Sequence, residues 1–319
     1  MNRRLTAAAA ALVVLATGCA AGSEEHVTTA FERGAIGRIL FLGDSITYDG
    51  RYAADFEAWL IARYPGHTIE VIDAGIPSET VSGLSEEGHA GGRFPRPSVF
   101  DRLDSVLEKT KPDLVFACYG MNCGIYKPFD EGRAARYRNG IERLHDAVVR
   151  IGARVAHITP PMYDAAHASD HVVEYNDVLG RYSDWLLSKK TDGWEVIDLH
   201  GPMTKKVERR RAADPGFAFA SDGVHPGDAG HWFMARQLIA YCGDPEAAAA
   251  TTPQAMLGAR ADVLPLVHER MGILRDAWLT YTGHHHPDVP KVLPLDEAKA
   301  KCAPLTEQID AIARQAPGK

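Results

Sequence analysis

Long apolar runs are nearly absent from this sequence. The one candidate, Leu5 to Ala16, is too short to cross a bilayer, which takes about 20 residues. Cysteine is also sparse, with five in 319 residues and no pair at C-x-x-C spacing, so nothing reads as a zinc or dithiol redox motif. Basic residues are outnumbered: 35 Lys and Arg stand against 42 Asp and Glu, a formal charge of −7, which speaks against a nucleic-acid partner. What remains is a chain that is 45% hydrophobic and long enough for a substantial core.

The first residues lie outside that core. Arg3 and Arg4 precede the short apolar stretch, which ends in Leu15-Ala16-Thr17-Gly18-Cys19. Small residues directly before a cysteine resemble the lipobox of bacterial lipoproteins. That resemblance implies a signal segment over 1–18, lipidation of Cys19, export, and membrane attachment by a lipid anchor alone. Loss of 1–18 would take the formal charge to −9. Residues 19–35 then read as a tether. Export would permit disulfides among Cys118, Cys123, Cys242 and Cys302, with three pairings open and four free buried thiols as the alternative.

Five near-continuous apolar runs follow: Arg38–Gly43, Ile69–Gly75, Asp113–Gly120, Arg154–Pro161 and Trp194–His200. Runs of this kind fit strands buried on both faces of a parallel sheet. Helix-length segments with apolar spacing near 3.6 separate them, chiefly Tyr52–Tyr64, Val99–Thr110, Asp130–Ile151 and Val172–Lys189. Alternating strand and helix give an α/β class with right-handed crossovers. After Pro245 an alanine-rich link leads into helical stretches over Pro253–Tyr281 and Leu295–Ala316. This 246–319 segment has too little to form its own core and is expected to pack on the main domain.

In open parallel sheets ligands sit beyond the carboxyl ends of the strands. Ser45 follows the first strand in Gly43-Asp44-Ser45, Gly75 ends the second, and Gly120-Met121-Asn122 follows the third. Ser221-Asp222-Gly223-Val224-His225-Pro226 precedes the last helix of the α/β region, Asp228–Tyr241. A serine hydroxyl needs a base to take its proton, and an imidazole needs a carboxylate to hold its tautomer. His225 and Asp222 have the chemistry for these two tasks. The bland reading makes Ser45 a helix N-cap, Asp222-Gly223 a turn and His225 a surface residue.

Taken in order, these four blocks resemble the SGNH, or GDSL-type, hydrolases over about residues 36–243. The resemblance implies a flavodoxin-like three-layer α/β/α fold with a five-stranded parallel sheet over 36–245. It also implies a serine esterase in which Ser45, Asp222 and His225 are catalytic. The backbone N–H groups of Ser45 and Gly75 and the amide of Asn122 would form the oxyanion hole. No metal or organic cofactor is called for. Where family members usually carry aspartate after that asparagine, this chain has Cys123. The expected substrate is an acylated carbohydrate or another small ester, with acetyl favoured; a lipase, lysophospholipase or thioesterase of the same fold, and a non-catalytic carbohydrate-binding lipoprotein, are the alternatives. His89 and Arg93, on the glycine- and proline-rich loop Ser85–Pro97, are candidates for substrate contact. Asp44 reads as a turn former, His231 as structural, His284-His285-His286 as an exposed loop, and the basic run Lys205–Arg211 as a solvated helix face.

Overall fold

The computed structural model describes residues 27–314 except 170, 171 and 173. Cys19 and the expected signal segment lie outside the described residues. Part of the expected tether is helical: Val27–Glu32 forms α1, because Val27, Ala30 and Phe31 make a one-sided apolar stripe. Phe31 packs on Trp59 and Tyr64, with ring centroids 6.5 and 5.6 Å away.

Five strands form one parallel sheet: β1 Arg38–Gly43, β2 Glu70–Asp73, β3 Leu114–Cys118, β4 Arg154–Ile158 and β5 Glu195–Ile197. Their order is β2-β1-β3-β4-β5. β1 is an interior strand, and its Phe41 lies opposite Asp73 on one side and Phe116 on the other. Its residues from Ile39 to Gly43 are buried, as a strand covered on both faces requires. Four of the strands stop short of the apolar runs that announced them. Gly75, Gly120 and Pro161 lie past the strand ends, in connections at the carboxyl edge, and His200 opens the helix that follows β5.

Helices α2 Ser45–Asp49 and α3 Arg51–Arg63 lead from β1 to β2, and α4 Leu103–Thr110 leads to β3. Next come α5 Glu131–Arg150, α6 Tyr175–Ser188, α7 His200–Arg211 and α8 Asp228–Tyr241. Right-handed crossovers put α3 on one face of the sheet and α4, α5 and α6 on the other, and α8 returns to pack on α3. The order in which strands are added to the sheet reverses between β1 and β3, a switch point that opens a crevice at their carboxyl ends.

The C-terminal segment holds α9 Pro245–Ala249, α10 Pro253–Leu257, α11 Val263–Thr282 and α12 Leu295–Ala313. The single stretch expected over 253–281 is broken by Gly258, at φ +55°. Val263, Val267, Met271, Trp278 and Leu279 of α11 join the same apolar core as the sheet. Cys118, Cys123, Cys242 and Cys302 are all free and buried, so no Cys242–Cys302 bridge ties the segment down. Polar contacts assist the packing instead. Arg270 on α11 donates to Glu57 on α3 at 2.8 Å and to Thr306 on α12 at 3.2 Å.

Asp73 ends β2 and shapes the edge of the sheet. Its Oδ1 accepts the Gly75 N–H at 2.8 Å, while Oδ2 is buried with no hydrogen-bond partner among the described residues. Burial pushes this carboxyl from 3.8 up to about 7, against the lowering by the Gly75 N–H and by Arg275 and Arg102.

Two outcomes are expected. Arg270→Met should lower stability by about 3 kcal/mol in denaturant unfolding, because it strands the buried Glu57 carboxylate. Adding Glu57→Gln should restore most of that loss, and a single variant that unfolds at the wild-type midpoint would show the pair to be idle. For Asp73 the folded pKa is raised, so the native state binds more protons than the unfolded state between pH about 4 and about 7. Its contribution to stability therefore falls as pH rises through that window. Asp73→Asn should compare more favourably with wild type at pH 8 than at pH 5 in urea midpoints, and an equal difference at both values would refute the assignment.

Candidate active site

Ser45 is the first residue of α2, directly after the β1 edge. Asp44 caps the helix, with extended backbone and Oδ1 accepting the Ile46 N–H at 3.0 Å. This turn requires Gly43: a Cβ there would stand 2.0 Å from Thr47 Oγ1 and 2.8 Å from the Cys118 carbonyl. The strand can therefore pass into the helix without a spacer, and Ser45 is held at the crevice.

Ser45 Oγ lies 2.8 Å from His225 Nε2, and His225 Nδ1 lies 2.7 Å from Asp222 Oδ2. The other carboxylate oxygen, Oδ1, accepts the backbone N–H groups of Val224 and His225 at 2.9 and 2.7 Å. Partial burial works to raise the Asp222 pKa, but hydrogen bonds from His225 and Val224 outweigh it and hold the carboxyl below its usual range. An ionised carboxylate only accepts. The His225 proton therefore resides on Nδ1, and Nε2 presents a lone pair to the serine hydroxyl. Arg51 braces the His225 loop, donating to the Pro226 carbonyl at 3.2 Å and to Asp228 at 2.6 Å while gripping Asp49. Sequence reasoning had no signal for that brace.

Asn122 follows β3 and is buried. Its Nδ2 donates to the Glu79 carbonyl at 3.3 Å, and its Oδ1 accepts from Arg96 Nη1 at 2.8 Å and from the Tyr126 hydroxyl at 3.2 Å. One amide N–H is left over. Cys123 is fully buried and its thiol is pushed up to about 12 by burial, so it plays the part of a core residue.

Gly75 departs from expectation. Its N–H, expected to face an oxyanion, is committed to Asp73. The residue is glycine because a Cβ would meet the Tyr48 nitrogen at 2.3 Å. The unusual backbone of this loop belongs to Ser78, a non-glycine residue at φ +62°, and no hydrogen bond to its N–H occurs among the described residues. Ser78 adjoins Glu79, whose carbonyl holds Asn122. A left-handed serine with an unpaired N–H is a recognisable sign of a loop shaped for a task, but it is invisible in sequence.

The two expected substrate contacts on Ser85–Pro97 are engaged within the protein. Arg93 makes two 2.8 Å bonds to Asp288, beyond α11, and His89 is 3.1 Å from Glu86 with its ring edge-on to Phe94. The residue of this loop that reaches the site is Arg96. It also donates to both oxygens of Glu86, each at 2.6 Å. Partial burial would raise the Glu86 pKa, yet the Arg96 bonds hold it below its ordinary value. His231 is buried near Asp49, and burial lowers its pKa to about 4. His284 and His286, expected in an exposed loop, are buried against the Ser85–Pro97 side, with His286 4.9 Å from the Phe94 ring.

Residues 41–233, more than half of the chain, match the GDSL-like lipase/acylhydrolase family. Among solved structures, a gut microbial diltiazem-metabolizing enzyme is similar with a TM-score of 0.53 and 24% identity, over 65% of this chain and 47% of its own. This chain thus spans about half of that enzyme. An acetylxylan esterase from Geobacillus stearothermophilus gives a TM-score of 0.48 at 22% identity, over 65% and 94% of the two chains. An α/β hydrolase enzyme from the metagenome of Lake Arreo, Spain, gives 0.47 at 20%, over 65% and 95%. No curated protein sequence matches. The family match falls on the same stretch that carries Ser45, Asn122, Asp222 and His225, and on that ground the chain belongs to the GDSL-like lipase/acylhydrolase family.

Proposed function

We propose that the protein is a serine esterase that removes small acyl groups, acetyl foremost, from carbohydrate. The observation that carries this reading is the unbroken hydrogen-bond chain from Ser45 through His225 to Asp222. His225 takes the hydroxyl proton as Ser45 Oγ attacks the ester carbonyl, and Asp222 stabilises the imidazolium that forms. The carbonyl oxygen becomes negative and is met by the N–H of Ser45, the free amide N–H of Asn122 and, in place of Gly75, the N–H of Ser78. His225 returns its proton to the leaving alcohol. A water activated by the same imidazole then releases the acid from the acyl-enzyme.

Preference for a short acyl group rests on the surroundings. Asp49 and Arg51, at the junction of α2 and α3, and Arg96 and Glu86, on the Ser85–Pro97 loop, stand around Ser45 and Asn122. Among the described residues the exposed large apolar side chains are Val149, Ile151, Tyr281, Val292 and Leu293, none of them on these segments. A long acyl chain would find no broad exposed apolar surface there, only half-buried side chains such as Tyr126 and Val224.

Purified protein should hydrolyse p-nitrophenyl acetate faster than the octanoate ester. Ser45→Ala should lose about 10⁴-fold or more in kcat while keeping its circular dichroism and unfolding midpoint. Undiminished turnover in that variant would remove Ser45 from the mechanism; faster cleavage of octanoate would remove the short-acyl preference. A screen of acetylated glycans for released acetate, with Ser45→Ala as control, tests the carbohydrate assignment. The lipobox-like residues support a further part of the proposal, export with a lipid anchor at Cys19. Mass spectrometry of membrane-extracted protein should find diacylglycerol on that residue, and unmodified soluble protein would count against it.

A further inference from the structure

We propose that Arg96 is the positioning residue for the oxyanion amide, holding Asn122 in the one rotamer that turns an N–H toward the reacting carbonyl. The inference rests on the esterase reading above and deepens it. A carboxamide can rotate by half a turn and exchange its oxygen for its nitrogen at little steric cost. Only one of the two orientations gives an oxyanion donor. A guanidinium has donors and no acceptor, so Arg96 Nη1, 2.8 Å from Oδ1, accepts only the orientation with oxygen toward it. The Tyr126 hydroxyl fills the second lone pair of that oxygen, and the Glu79 carbonyl takes one of the two amide N–H groups. Reversal would set donor against donor at Arg96 and acceptor against acceptor at Glu79. A single N–H is left for chemistry.

Arg96 is itself immobilised. Its side chain is 7% exposed, Nε and Nη2 are bound to Glu86, its backbone N–H donates to Ser85 Oγ at 2.9 Å, and its guanidinium lies 5.3 Å from the Tyr126 ring centroid. Each of its three side-chain nitrogens is bonded within the protein, and the bond that meets the candidate site is the one to Asn122. The platform it stacks on is strained: Ile125 and Tyr126 have φ of +50° and +52°. A buried positive charge bonded to Oδ1 also draws electron density out of the amide and strengthens the remaining N–H as a donor.

The test is a double-mutant cycle in the full chain with p-nitrophenyl acetate. Arg96→Met should lower kcat by about 10- to 100-fold with KM within about 3-fold, because the donor is misplaced rather than the substrate lost. Arg96→Lys should fall between the two. In an Asn122→Ala background the same Arg96→Met change should cost less than about 2-fold, since the group it positions is gone. If Arg96→Met does not fold, Glu86→Gln serves instead; it loosens the guanidinium without removing it, and its loss in kcat should also vanish with Asn122→Ala. An equal loss in both backgrounds, a loss confined to KM, or wild-type kcat in Arg96→Met overturns the inference and leaves the esterase reading standing. Absence of any Ser45-dependent turnover in the unaltered chain overturns both.

Discussion

Glu79 and Arg102 form a buried ion pair on which the geometry of the crevice depends. Arg102 donates from Nε and Nη2 to the two carboxylate oxygens at 2.6 and 2.7 Å, and Nη2 also reaches the Ala74 carbonyl at 2.7 Å. The Tyr119 hydroxyl adds a third bond to Glu79, at 2.7 Å. One cluster therefore joins the connection after β2, the entry to α4 and the end of β3. An ion pair in the interior repays its desolvation only when geometry and further hydrogen bonds are good; here both Glu79 oxygens are bonded, while Arg102 Nη1 is buried with no partner among the described residues. With its side chain fixed, Glu79 has its backbone fixed as well, and that carbonyl holds the Asn122 amide. Ser78, with its left-handed conformation, is one residue earlier.

Much of this was legible in sequence, for identifiable reasons. Strands buried on both faces must be apolar throughout, so each of the five runs marked a strand, and Arg38–Gly43 matched at both ends. The spacing of Asp222 and His225 keeps carboxylate and imidazole on one short loop, which made their pairing readable, and Ser45 stood at a strand end where the topology collects ligand contacts. The failures share a cause. Gly75 looked available because its nearest claimant, the Asp73 carboxylate two residues away, competes for its N–H only once the chain has turned. Arg93 and Arg96 are indistinguishable in a loop without periodicity; which one faces Asp288 and which one faces Asn122 is settled by long-range packing alone. His284 and His286 sit in a polar stretch whose burial depends on a loop nearly 200 positions away.

The same long-range packing explains why the C-terminal helices belong to the site's architecture. Arg275 of α11 stacks on the Tyr48 ring, 4.0 Å from its centroid, and donates to the Tyr48 carbonyl in the helix that begins with Ser45. Asp288 holds Arg93 on the loop that carries Arg96. One segment thus braces the serine's helix and the asparagine's support from the same side. Mobility in either would misplace a hydroxyl or an N–H by distances that matter for catalysis.

Electrostatics impose the final constraint. A site that develops a negative oxygen is opposed by nearby carboxylates, yet Asp44, Asp73, Glu79 and Glu86 all stand within this region. Each is blunted in its own way. Glu79 and Glu86 are matched by Arg102 and Arg96. Burial pushes Asp73 to about 7, so its charge is partly suppressed near neutral pH, while Asp44, pushed to about 6, is offset by the Ile46 N–H it accepts. Asp222 is held low in pKa by hydrogen bonds from His225 and Val224 while standing partly in solvent, beyond the imidazole it serves. The one carboxylate whose charge the reaction uses is therefore screened from the oxyanion by His225, which carries the compensating positive charge at the step where the oxygen turns negative.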